Sequence, residues 1–388
     1  MKKIKLLYLI NSLRVGGTEK RVVELLRRLP REKFDPYLCC LVETGFLEQK
    51  VREVGVPIFV LGYSGIRING KIKPLKLFQF PGLFLRLHKF LKKEKFDLMH
   101  TFLPISNTIG CTAGRLAGVT HIIASRVFTG EYRNINPLYQ PLENFAGRKA
   151  DIIICNARAV YDDVLKRENV NPDKLRIIHN GIEVERFEGV SAREKVRKEF
   201  DIPSKSPLVG VVAILRKHKG LDVFLDSAKI VSDEIPETHF LIVGRDDGML
   251  EKLKGQARNL KIESKIHFAG FREDIPEILS SVDLLVSSSY EEGFSNSLLE
   301  GMAAKRAIVA TNAAGSAEAI QDGETGFIVP IKNPSALAEK IILLLKDSAL
   351  REKMGLAGYQ RVKNLFSIDK MISSYISLYE SLFNDSEK

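Results

Sequence analysis

Long apolar runs are missing from this sequence of 388 residues. No stretch approaches the roughly 18 to 20 apolar residues needed to cross a bilayer, which excludes a membrane-spanning helix. Cysteine is scarce as well: Cys39, Cys40, Cys111 and Cys155 lie in apolar contexts without metal-ligand spacing. That argues against a zinc site or a disulfide framework and fits free thiols buried in a reducing cytoplasm. There is no repeat of solenoid period and no low-complexity tract. The turn after the first apolar run carries Gly16-Gly17, not the G-x-G-x-x-G dinucleotide fingerprint, and no ribose-binding acid is evident after it. The opening MKKIKLLYLINSLRVGG has the Lys-then-apolar order of a signal peptide. Its apolar part is too short, and a Gly-rich turn stands where a cleavage site would be, so it reads as a buried first strand.

What is present is a chain able to fold. Hydrophobic residues make up 45% and charged residues 28%, enough for real cores and unlike a disordered protein. The net charge of +11 is unevenly distributed. Residues 1–180 hold 31 Lys and Arg against 16 Asp and Glu, whereas residues 181–388 hold 28 against 32. The basic half therefore calls for an anionic partner: a membrane surface, a phosphorylated acceptor or nucleic acid.

Short β-like runs alternate with amphipathic stretches. Residues 5–10, 37–42, 57–61, 97–100, 121–125 and 151–155 read as strands, with helices over Glu19–Leu29 and Leu75–Lys93 among those between them. The pattern restarts after about residue 180, with strands at 208–215, 239–244, 265–270, 283–288 and 307–311. Continuous apolar strands alternating with helices imply parallel sheets, hence an α/β protein of two doubly wound domains. The joint falls near 170–185, where a Pro, a short β run and an Asn-Gly turn occur together. The last segment, 366–383, has helical spacing with Ser367 as N-cap.

Residues 289–320 carry the most chemistry. A strand ends near Ser288, a Gly-containing loop follows, and a helix begins near Asn296. Ligands of open α/β sheets bind outside the carboxyl ends of strands, and a helix start offers free N–H groups and positive dipole to a diphosphate. Glu292 lies in the loop and Glu300, eight residues on, about one turn into the helix. A carboxylate there can accept two hydroxyl hydrogen bonds from a ribose diol. As a merely solvated residue Glu300 would be oddly placed among Leu298, Leu299, Met302, Ala303 and Ala304, where a carboxylate needs a partner.

This E-x7-E spacing in EGFSNSLLEGMA, together with the Gly-Gly-Thr-Glu start and the Asn-Gly linker, resembles the retaining glycosyltransferases of the GT-B fold, family 4 (glycosyl transferases group 1). The resemblance covers nearly the whole chain. It implies two facing Rossmann-like domains, an acceptor-binding one over 1–175 and a nucleotide-sugar-binding one over 176–365. A final helix, 366–388, would pack back on the first. By the same resemblance Glu300 binds ribose hydroxyls, Glu292 the transferred sugar, and backbone amides of Phe294, Ser295, Asn296 and Ser297 hold sugar hydroxyls and diphosphate. Gly16 and Gly17 would border the donor phosphates, with tight strand-to-helix packing as an even alternative. The loop of Phe271 and Arg272 would meet the nucleobase. No metal and no cofactor beyond the nucleotide diphosphate sugar co-substrate is implied.

A basic cluster after a strand and before a helix, in AILRKHKGLDV, suits a diphosphate whose charge grows on leaving. The family carries Arg and Lys here, with Lys followed by Gly as in Lys219-Gly220; Ile214 stands where Arg is common, and Arg216 is the nearest guanidinium. On the acceptor side, His100 and Arg126 end strands; His100 reads as a structural histidine rather than a catalyst. Arg126 cannot serve as a base at neutral pH, so with Arg133 it is read as a site for an anionic acceptor. Segment 67–96 interleaves basic residues with Phe and Leu, as a membrane-surface helix does and as a core-facing helix with a basic outer face does, and Pro81 would break its early part.

The function expected is transfer of a hexose or N-acetylhexosamine, retaining and metal-independent, from a nucleotide diphosphate sugar, UDP-linked, to a lipid-linked glycan or glycolipid of cell-envelope polysaccharide synthesis. The enzyme would be cytoplasmic and peripheral on the inner membrane face, held to anionic lipid by its basic half, with no nucleic-acid partner. The alternative is a non-catalytic sugar-nucleotide-binding or scaffold protein on the same fold.

Overall fold

A computed structural model describes residues 3–14, 16–63, 67–68, 71–72, 79–129 and 139–384. The chain divides into two compact units, Met1–His179 with Ile372–Lys388, and Asn180–Met371. Among the described residues no helix is long and apolar enough to cross a membrane.

In the first unit Leu6 to Ile10 are all wholly buried, as only a central strand covered on both faces can be. They lie in β1 (Ile4–Ser12). The other strands are β2 (Phe34–Glu43), β3 (Ile58–Val60), a short antiparallel pair β4 (Arg67–Ile68) and β5 (Lys71–Ile72), then β6 (Leu98–Phe102), β7 (His121–Arg126), β8 (Ile152–Cys155) and β9 (Leu175–Ile177). The described sheet is parallel throughout, in the order β3-β2-β1-β6-β7-β8-β9. Its helices are α1 (Gly17–Arg28), α2 (Glu48–Arg52), α3 (Gln79–Glu94), α4 (Pro104–Ala117), α5 (Tyr139–Lys149) and α6 (Arg158–Arg167). Pro81 does not break α3. It sits in the first turn, where its missing N–H has no intrahelical partner to lose.

The two faces of this sheet receive different partners because strand side chains alternate. Leu9, Met99, Thr101 and Ile122 face α4: a side chain at Gly110 or Gly114 would run into them at 2.5 to 3.0 Å. Tyr8, His100 and Ser125 face the opposite way.

The second unit holds β10 (Leu208–Val212), β11 (His239–Val243), β12 (Ile266–Gly270), β13 (Leu284–Ser287), β14 (Ala307–Thr311) and β15 (Phe327–Val329). They form another parallel sheet, ordered β12-β11-β10-β13-β14-β15. The order reverses between β10 and β13, the switch point at which such sheets bind ligands. Helices α7 (Arg193–Glu199), α8 (Leu221–Glu234), α9 (Leu250–Asn259), α10 (Ile275–Ser281), α11 (Asn296–Ala303), α12 (Ser316–Ala319), α13 (Pro334–Lys346) and α14 (Ser348–Leu365) surround it. β15 carries only three residues and was not read from the sequence. The apolar run over 208–215 yields a strand only to Val212, after which the Ala213 N–H donates to the Val243 carbonyl at the end of β11 and the Leu215 N–H to the Arg245 carbonyl just beyond it.

The last helix, α15 (Ile368–Asn384), opens with the Lys370 N–H bonded to Ser367 Oγ at 3.4 Å, and the division between units falls inside it. Its later part covers the polar stripe of the first sheet. Tyr379 Oη lies 3.1 Å from Tyr8 Oη and 2.7 Å from His100 Nδ1, and His100 Nε2 lies 2.8 Å from Ser125 Oγ. Burial holds His100 well below its ordinary pKa, with Arg21 adding to the effect, so the ring is neutral.

On the second sheet, His239 and His267 stack with ring centres 5.2 Å apart, and His239 Nδ1 lies 2.9 Å from His267 Nε2. Burial, then Lys265, His267 and Arg197, pushes His239 down to about 4, and burial lowers His267 too. The unfolded chain, with histidines near pKa 6.5, therefore binds more protons between about pH 4 and 6.5, and stability falls as pH drops through that window. Replacing both histidines, as His239→Gln/His267→Gln, is expected to shrink the fall in Tm between about pH 7 and 5 relative to the parent; an unchanged fall would overturn this account.

Candidate functional site

The richest sequence segment lies at the carboxyl end of β13, beside the switch point. Three hydrogen bonds stitch the loop after β13 to the turn after β10 and the start of α8. The Tyr290 N–H donates to the His218 carbonyl at 2.8 Å, Ser288 Oγ to the Lys219 carbonyl at 3.0 Å, and Tyr290 Oη to Asp222 at 2.7 Å. Gly220 makes the contact possible. Its φ is +60°, and a Cβ there would lie 2.0 Å from the Ser288 carbonyl oxygen. The Lys-Gly pair thus needs glycine for backbone approach, and the approach delivers the lysine.

Lys219 Nζ reaches Glu292 Oε1 at 2.5 Å, and Ser289 Oγ donates to the same oxygen at 2.8 Å. Ser289 is itself fixed, because Thr311 Oγ1 of β14 donates to its carbonyl at 2.5 Å. The Lys219 and Glu292 side chains are only 18% and 11% exposed. Both of these donors go to Oε1, and no described residue donates to Oε2, which leaves that oxygen to accept from a ligand. His218, next to the lysine, is kept below its ordinary pKa by burial and by the Lys219 charge.

Helix α11 begins at Asn296, with Ser295 as N-cap but no side-chain bond to the first-turn N–H groups. Those amides remain available to an anion. The loop of Phe294 to Ser297 is held from the linker: Asn180 Nδ2 donates to the Phe294 carbonyl at 2.9 Å and to Asn296 Oδ1 at 2.8 Å. Gly315, after β14, presses so close that a Cβ would lie 1.5 Å from the Gly293 carbonyl oxygen. Glu300 sits half-buried one turn into α11, between buried Leu298, Leu299, Met302 and Ala303. Ser289, Thr311 and Asn180 were not singled out from the sequence; for Asn180 the Asn-Gly turn was the visible signal.

Other expected residues lie elsewhere. Arg216 is exposed and ion-paired with Asp247 beyond β11, so it does not join Lys219 on Glu292. Ile214 contributes its carbonyl to the Arg216 N–H. Arg272 is gripped by Asp274 and Glu199, which raise its pKa further, while Phe271 beside it is 43% exposed. Next to that loop a cavity of 160 Å³ is lined by Leu215, Ile242, Gly244, Asp246, Phe268 and Gly270 among others. Asp246 Oδ1 accepts from the Gly248, Met249 and Leu250 amides and serves the start of α9. In the first unit Gly16 is the extended residue before α1, and Gly17 is the first residue of α1.

His100 and Arg126 depart from the acceptor-side expectation. The strand of His100 continues to Phe102, and its ring is wholly buried against α15. Arg126 ends β7 as expected but folds inward, donating to both oxygens of Glu168 at 2.9 Å. Burying a guanidinium demands such a partner, and the pair leaves neither side chain presented to a ligand. Arg133 lies outside the described residues.

Comparison with known proteins points to one family. The profile of Glycosyltransferase Family 4 matches residues 15–186, and that of Glycosyl transferases group 1 matches 192–361. The chain is 26% identical over 387 residues to a UDP-Gal:alpha-D-GlcNAc-diphosphoundecaprenol alpha-1,3-galactosyltransferase of Escherichia coli, covering 97% of each. It is 27% identical to an N,N'-diacetylbacillosaminyl-diphospho-undecaprenol alpha-1,3-N-acetylgalactosaminyltransferase of Campylobacter jejuni, covering 87% of this chain and 89% of the relative. The crystal structure of Anabaena HepE in complex with UDP-glucose superposes with a TM-score of 0.85 at 20% identity, over 97% of this chain and all of that one, a likeness of fold. With one profile on each parallel-sheet unit and full-length relatives of the same kind, the chain belongs to the GT-B glycosyltransferases of family 4, glycosyl transferases group 1.

Proposed function

We propose that this glycosyltransferase moves a hexose or N-acetylhexosamine, with retention of configuration, from a UDP-sugar to a lipid-linked saccharide in envelope polysaccharide synthesis. The observation that carries the reading is the Glu292 carboxylate, anchored through one oxygen by Lys219 and Ser289 and open at the other, beside the uncapped start of α11. Glu292 Oε2 would accept hydroxyls of the transferred sugar, the α11 amides would hold the diphosphate, and Glu300 would accept the ribose hydroxyls. The two curated relatives support the acceptor class, since both are named for sugars carried on undecaprenyl diphosphate.

In the transfer, the bond from the anomeric carbon to the diphosphate oxygen breaks as the acceptor oxygen bonds to the same face. The acceptor proton passes to the leaving phosphate oxygen, so the reaction needs no protein base, consistent with His100 and Arg126 being enclosed. Charge growing on the diphosphate is met by Lys219 and the helix start, in a site already desolvated. The Lys219 ammonium is held by Glu292 and would be shared with the diphosphate once donor binds. We place the enzyme at the inner membrane face, where such acceptors present their sugars.

Four outcomes test the reading. A UDP-sugar should raise Tm by mass action, more than GDP- or ADP-sugars do, and Glu300→Ala should lose both that shift and turnover while keeping the parental melt. Undiminished turnover in Glu300→Ala would remove the site assignment. Ser289→Ala should lower kcat roughly tenfold as Glu292 loses one anchor, with Ser289→Thr retaining most activity; equal rates would show the serine to be structural. Activity should persist in excess chelator, and a loss restored by a divalent cation would reject the metal-independent scheme. Slow donor hydrolysis without acceptor separates the enzyme from a binding scaffold, which shows none.

A further inference from the structure

The cations of the first unit are not evenly partnered. On most of its surface they are paired: Arg27 and Arg28 with Glu24, Arg52 with Glu48, Arg167 with Asp163. One face differs. Helices α3, α4 and α5 pack side by side on the same side of the sheet, α4 in the middle. Along their outer surface Arg86, Lys89, Lys92, Lys93, Arg148 and Lys149 are all exposed, and none forms an ion pair with a described residue. The three helices hold only two carboxylates. Glu94 is bound to Lys5, and Glu143 is buried beside Arg126. The outer row of α4 offers Thr108 and Thr112, whose hydroxyls bond their own helix, and no acid.

Large apolar side chains stand among these cations. Leu85 of α3 is 55% exposed, Leu116 of α4 66%, and Leu142 and Phe145 of α5 44% and 45%. On α5 they follow helical spacing into the basic end, with Lys149 Nζ 5.6 Å from the centre of the Phe145 ring. The inward stripe of α3, Leu83, Leu87 and Leu91, is fully committed to the core, so its outer face is free of that duty. Unpaired cations without acids meet a negative surface, and interspersed Leu and Phe favour one with an apolar interior over nucleic acid.

We infer that the α3–α4–α5 face of the first unit is a docking surface for an anionic lipid bilayer. It extends the membrane placement above from a net charge to a specific face. It rests on the reading of a lipid-linked acceptor only for its purpose, since bilayer binding needs neither donor nor acceptor.

The test is co-sedimentation of the full chain with mixed phosphatidylglycerol–phosphatidylcholine vesicles and with pure phosphatidylcholine vesicles, each at low and high salt. The parent should sediment with the anionic vesicles alone. Lys89→Glu/Lys92→Glu/Lys93→Glu should lose that binding while keeping its melt and its donor hydrolysis in detergent. A matched reversal on the other helices, Arg27→Glu/Lys50→Glu/Arg52→Glu, should still bind. Leu142→Ser/Phe145→Ser should bind only at low salt, whereas the parent should keep a bound fraction at high salt. Equal loss in the two triple variants would reduce the effect to net charge and overturn the face assignment. Parental binding by the α3 triple, or tighter binding of the parent to duplex DNA than to anionic vesicles, would also overturn it. Glu300→Ala keeps the two proposals apart: with the site reading correct it is inactive yet sediments like the parent.

Discussion

The candidate site depends on one close backbone approach, that of Gly220 to the carbonyl of Ser288. Two loops from different strands can share a carboxylate only if their backbones come within van der Waals range, and any side chain at 220 would prevent it. Once seated, the loops exchange three hydrogen bonds, and Lys219 and Ser289 arrive together on one oxygen of Glu292. The ion pair between Lys219 and Glu292 is largely enclosed, so it carries more weight than a surface pair would. It also gives each buried charge a partner, sparing either group an unpaired burial.

The first unit solves a different problem with the same rule. A polar stripe, Tyr8, His100 and Ser125, lies on the face of its sheet opposite α4, and burying it unpartnered would cost more than the apolar contacts return. Tyr379 of α15 supplies a hydroxyl to two of these groups. The strand residue expected on the acceptor side, His100, is thereby committed to holding the last helix. Arg126 is committed in the same manner, by Glu168. Both residues are of types that do chemistry when exposed, and in both the surroundings turn them to structural use.

Charge organises the surface as it organises the site. The excess of cations in residues 1–180 resolves into regions where many are answered by a neighbouring acid and one helical face where Arg86, Lys89, Lys92, Lys93, Arg148 and Lys149 are not. Long-range attraction to a negative surface comes from the unanswered cations, because paired ones cancel within a Debye length.

Much of this was legible in the sequence. Apolar runs alternating with amphipathic stretches fix parallel strands and covering helices, since a strand buried on both faces can only be written as a continuous apolar run; β1, β11 and β14 follow directly. The start of α11 at Asn296, and Glu292 and Glu300 on either side of it, follow from the Gly-containing loop and helical spacing. Strands of three residues such as β3, β9 and β15 carry too little pattern to be sharply bounded. Only the tertiary structure decided partnership. Sequence spacing cannot tell that Asn180 clamps Phe294 from 114 residues away, or that Arg216 turns to Asp247 and leaves Lys219 with Glu292. Nor can it tell that His100 is met by Tyr379 from the far end of the chain. Those pairings depend on which side chains the two sheets bring within hydrogen-bond range, and a linear pattern does not contain that distance.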